Sequence, residues 1–174
     1  MLKRFPKRDQ IVPVYAVGVT ILFSWSIITT VKEILSNWSL YFNVVDILGL
    51  FSYVMAGAFL ESLLLIMFLL AACFILPKKL LLDKFTFRGT TLVISILVTI
   101  MYYYTQTPLG DSLENMSRLG LFFVLALFLV MLGELFQVVD HLVKHIADSC
   151  IIFLYIYPPI SFLSILTIIF RNLG

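Results

Sequence analysis

The sequence predicts an all-α, polytopic integral membrane protein of about five transmembrane helices, and three observations carry that class. Of its 174 residues, 61% are hydrophobic and only 13% charged, with a mean hydropathy of +1.07, a profile that chains with a water-facing surface do not reach. The apolar residues gather into long segments, approximately 11–31, 47–76, 89–104, 119–139 and 149–170. The connections between them are short and polar, so residues 1–174 read as a single transmembrane domain with no extramembrane domain of useful size. Function is therefore expected within the bilayer or at its edge.

The first segment follows Lys3, Arg4, Lys7 and Arg8, which place the N-terminus in the cytoplasm by the positive-inside rule. The apolar run is longer than the ~7–15 residues of a signal peptide and no A-x-A site closes it, so it reads as an anchor. Pro13 is expected in the first turn, where a missing N–H costs little. Between the first two segments, Trp38, Tyr41 and Phe42 mix with polar residues, as suits an interfacial loop on the outer face. The second segment would measure ~45 Å as a helix against a hydrocarbon core of ~30 Å, so it must tilt, kink or protrude.

Lys78, Lys79, Lys84 and Arg88 surround the single Asp83 and return the chain to the cytoplasmic side. The third segment ends in Tyr102, Tyr103 and Tyr104, an aromatic cluster suited to the outer headgroups. A polar loop with Asp111 and Glu114 follows outside, and the fourth segment descends from Leu119 into a polar run containing Glu134, Asp140 and Lys144. The fifth ascends, broken at Pro158 and Pro159, a kink that frees the carbonyls of Leu154 and Tyr155. The predicted location is a cell (cytoplasmic) membrane, multi-pass, with the C-terminus outside.

Within this frame one residue stands out. Glu61 is a carboxylate inside the second segment, and a charge at membrane depth costs about 2.5–3.5 kcal/mol, so it should face protein. Helix counting puts it ~22 Å from the cytoplasmic boundary, level with Ser24, Trp25 and Ser26 on the first segment and with Tyr102 and Tyr103 on the third. Gly57, Ala58 and Ser62 share its side of the helix and allow another backbone close. The expectation is a buried Glu61 bonded to a Tyr or Ser, acting as a latch between helices or to a partner subunit. A proton or cation relay is the competing reading, but it needs further ionisable groups within reach, and the outer half offers none.

Glu134, His141, His145 and Asp148 form a second constellation, projecting within about 60° of one another on a helix. The i,i+4 histidines have a spacing that can hold zinc, but H-E-x-x-H is absent and no third ligand can be named. A solvated juxtamembrane face needs the same residue types and is preferred, ahead of a pH-responsive, partner-binding or metal surface. Glu134 and Glu61 lie ~14 Å apart along the membrane normal, too far for a carboxylate pair. Thr91, Ser95 and Thr99 make a mild polar stripe whose hydroxyls are expected to bond back to their own helix.

Cys73 and Cys150 have neither CxxC nor Cys/His spacing and read as small buried hydrophobes. No P-loop, no G-x-S-x-G and no redox cysteine pair is present, so neither an enzyme nor a cofactor is indicated, and no metal site is assigned. With a net charge of +2 and bases only beside the apolar segments, nucleic acid is excluded as a partner. The expected partners are the lipid bilayer and other membrane subunits or a second copy. The leading functional expectation is a non-enzymatic membrane subunit, scaffold or assembly partner working through helix–helix contacts. The alternative is a proton- or cation-coupled transport component using Glu61 and the Glu134/His141/His145 face.

Overall fold

The computed structural model describes residues 5–34, 43–75, 81–106 and 137–173, together with Val124 and Phe128. Among them all regular structure is helical: α1 (Arg8–Glu33), α2 (Val44–Ile75), α3 (Phe85–Gln106), α4 (Gln137–Ser149), a 3₁₀ segment (Cys150–Tyr155) and α5 (Tyr157–Leu173). Four stretches are long and apolar enough to cross a membrane: Arg8–Glu33, Val44–Ile75, Phe85–Thr105 and Val138–Leu173. The span expected at 119–139 falls almost wholly outside the described residues.

α1 starts three residues before the apolar run because its polar N-terminus is capped. Gln10 turns its side chain back to accept the Lys7 backbone N–H at 3.3 Å, and the Gln10 N–H reaches the Lys7 carbonyl at 2.9 Å. Pro13 consequently lies in the second turn, not the first, and removes the donor that the Asp9 carbonyl would have used.

α1 is the central post. Val14, Val17, Val19, Leu22 and Phe23 are buried and fall on every side of the helix, the pattern of a helix surrounded by others. Gly18 lets two neighbours in at once, since a Cβ there would stand 3.0 Å from Leu65 on α2 and 3.6 Å from Val93 on α3. α2 runs antiparallel to α1: Phe5 meets Phe74 edge-on at 4.8 Å, and Tyr15 shares a hydrogen bond with Ser62 at 3.3 Å.

α5 packs antiparallel along α2. Arg171 pairs with Asp46 at 3.3 Å and lies against Gly49, while the Tyr53 hydroxyl and Asn172 side chain are 3.4–3.5 Å apart. The Asp46 end of α2 is opposite the Phe74 end, so Arg171 and Phe5 lie at opposite ends of the bundle.

The break in the last segment differs from the expectation. Pro158 and Pro159 are the second and third residues of α5, where their missing N–H groups have no intrahelical role, so they start a helix and do not kink one. The discontinuity precedes them, as a 3₁₀ segment closed by the Ile156 N–H on the Phe153 carbonyl at 3.1 Å. Tyr157 anchors the junction, stacked on Phe23 of α1 at 4.6 Å and on Phe153 at 5.6 Å.

Candidate functional site, an acidic cleft beside the first helix

α2 and α3 flank α1 without closing over it, and a cleft of ≈ 400 Å³ runs along α1 between them. Its floor is a helical row of α1, Leu22, Trp25, Ser26, Thr29, Thr30 and Glu33. α2 contributes Val54 and Glu61, and α3 contributes Leu97, Ile100, Met101 and Tyr104. The row follows from the 3.6-residue period, which brings every third or fourth residue of α1 to the gap.

The cleft gathers some of the residues expected at one level and leaves others out. Glu61, Trp25 and Ser26 do line one space, but the tyrosine that joins them is Tyr104, not Tyr102 or Tyr103. Ser24 is half-buried and Tyr102 is exposed, and neither lines the cleft. Glu61 differs from the expectation more sharply. Its side chain is exposed and takes no hydrogen bond or ion pair among the described residues, whereas its neighbour Ser62 is fully buried and bonds to Tyr15. The reason is rotational: one residue step turns the chain 100°, so Ser62 faces α1 while Glu61 faces the gap.

The hydroxyls of the cleft are committed in a particular way. Thr29 donates to the carbonyls of Trp25 and Ser26 at 2.8 and 3.1 Å, and Thr30 donates to Ser26 at 2.7 Å. Such back-bonding spends the hydrogen on the helix and turns the oxygen lone pairs outward. Thr91 and Thr99 of α3 likewise donate to Phe87 and Ser95 at 2.8 and 2.7 Å, as expected of the polar stripe.

The second constellation is on α4. His141, His145 and Asp148 are exposed on one side together with Lys144, and Glu134 lies outside the described residues. Ala147 is buried in the core formed with α1 and α3, Val143 is half-buried one turn before it, and Val138, Leu142 and Ile146 are exposed on a third side. A helix with packed, apolar and polar sides suits a headgroup boundary. No group of three or more His, Cys, Asp or Glu side chains is arranged to hold a metal among the described residues. What sequence reasoning missed is Asp140, which pairs with Lys144 at 2.9 Å yet keeps its other oxygen buried and unbonded among the described residues. Its i,i+3 and i,i+7 spacing from Val143 and Ala147 was the available signal. Cys73 is buried in the core and Cys150 half-buried, and both are free thiols.

These features define the class: an all-helical protein with, among the described residues, four helices long and apolar enough to cross a membrane, and a cleft holding two carboxylates between three of its helices. No protein family matches the chain, and neither curated proteins nor solved structures hold a match to it.

Proposed function

We propose that the protein is a small, non-enzymatic membrane subunit that assembles with a transmembrane helix of another subunit along the uncovered face of α2. The observation that carries this reading is the state of that face. Of the most apolar stretch of α2, 22% is buried, less than in α1 (44%) or α3 (39%) and more than in Val138–Leu173 (11%), and α2 alone of the two less buried stretches has a glycine with open space above it. Leu60 and Leu64 are exposed within two turns of Gly57, where an added Cβ would meet nothing within 4 Å, and Met67 and Phe68 are exposed further along the same helix. A small residue amid large apolar ones, with open space above it, is what a close helix–helix contact in lipid uses.

In this reading the chain crosses a cell (cytoplasmic) membrane five times, with the N-terminus in the cytoplasm and the C-terminus outside. The opposite placement of Phe5 and Arg171 supports an odd number of crossings. The test is isolation of the full chain with its associated membrane proteins, alongside a Gly57→Leu variant. A stoichiometric partner lost in the variant, while the chain still accumulates, is expected. Isolation as a lone monomer with either sequence would overturn the proposal.

A second reading, a proton- or cation-coupled transport component, is favoured by one observation, that Glu61 stands in a cleft and not in a helix contact. Ion or proton flux in vesicles holding this chain alone would establish it in place of the first.

A further inference from the structure

We propose that the cleft between α2 and α3 is a binding site for an amphiphilic organic ammonium compound, its charged head at Glu61 and its apolar body along α1. The argument starts from what the lining offers. It holds the carboxylates Glu33 and Glu61, and among the described lining residues there is no Lys, Arg or His; of the two, Glu61 takes no hydrogen bond or ion pair among the described residues. The hydroxyls of Thr29 and Thr30 have already donated to their own helix, so these two present acceptors beside the carboxylates. A carboxylate in a lining without a basic side chain selects a ligand that brings positive charge and repels anionic headgroups and phosphates.

The rest of the lining decides what kind of cation fits. Leu22, Val54, Leu97 and Ile100 supply apolar wall, while Trp25 and Tyr104 add ring faces of the type that attract a cationic nitrogen. A bare metal ion favours several converging charged ligands, and no group of three or more His, Cys, Asp or Glu is arranged to hold one among the described residues. An aliphatic amine needs one carboxylate and a greasy groove, and ≈ 400 Å³ falls at the small-molecule end of ligand-site volumes. Glu61 is the anchor because it takes no hydrogen bond or ion pair among the described residues, and Trp25 and Tyr104 line the same cleft.

Trp25 supplies a direct readout, since the chain has two tryptophans and a Trp38→Phe background leaves the cleft tryptophan alone. The experiment titrates the full chain in lipid nanodiscs with octylamine, using octan-1-ol as the uncharged control of equal length, and follows Trp25 emission. A saturable shift with octylamine and none with octanol is expected, with Glu61→Gln weakening apparent affinity by about tenfold or more. Ile100→Phe, at an exposed position of the lining, narrows the groove, keeps the carboxylate and adds no tryptophan; it should also abolish saturation, and it covers the case in which Glu61→Gln does not fold. Equal responses to the two probes, or saturation unchanged in both variants, would overturn the proposal. So would an insensitive Trp25, the result expected if a partner helix's basic side chain already fills the cleft. Gly57 stands one turn before Glu61 on the same side of α2, so the two proposals are told apart by their readouts, partner recovery for assembly and Trp25 emission for the ligand.

Discussion

Arg171 shows how a single contact can be tested without disturbing the fold. Its guanidinium lies so close to Gly49 that an added Cβ would collide with it, and it reaches Asp46 at 3.3 Å with both side chains close to half-exposed. Screening limits such a pair to about 0.2–1 kcal/mol. Gly49→Ala should displace the guanidinium and lose the same pair that Arg171→Ala removes. The two changes are therefore expected to be clearly non-additive in a double-mutant cycle of unfolding in detergent. Ser62 is the buried counterpart, holding Tyr15 across two helices at 3.3 Å. Ser62→Ala should cost about 0.6 kcal/mol, the average for interhelical hydrogen bonds in membranes, measured by the same unfolding assay. Glu61 and Ser62 also mark how far the sequence was legible at this scale. That a carboxylate lay deep in an apolar helix was plain, but which of two adjacent residues faced α1 depended on a rotation that apolar periodicity could not fix, since α2 is apolar all round.

At the scale of elements, the prolines of α5 separate composition from position. A proline in a helix interior costs about 3 kcal/mol or more, yet Pro158 and Pro159 occupy the first turn, where no intrahelical donor is lost. Pro159→Ala is accordingly expected to change stability by less than about 1 kcal/mol, checked by thermal unfolding in nanodiscs. A cost near the interior value would mean that the chain before Pro158 is wound as α-helix and not as 3₁₀. Sequence reasoning placed the break within a few residues but assigned it to the prolines, because local rules see the missing N–H and not the stacking of Tyr157 on Phe23 that ends the 3₁₀ segment. α4 was the reverse case. Its shared polar side was legible from spacing alone, and His141, His145 and Asp148 do lie together on it, exposed. Exchanging both histidines for alanine should shift stability by no more than about 0.5 kcal/mol per site, and purified protein should carry no stoichiometric transition metal.

For the whole molecule, α1 is the post against which α2, α3, α4 and the 3₁₀ segment pack, and α5 reaches the far end of α2. Reporters fused to the two termini are expected to read opposite sides of the membrane, and a common side would mean an even number of crossings. The sequence by itself determined the all-helical class and the presence of long apolar helices, because the cost of exposing backbone and charge to lipid is local and additive and can be summed along a chain. Only the tertiary structure decided that α1 is central, that Glu61 faces an open cleft while Ser62 faces a helix, and that Tyr104 completes that cleft. In helices that are apolar on every side, the rotation of each about its axis is set by small-residue contacts such as Gly18 with Leu65 and Val93, between residues far apart in sequence.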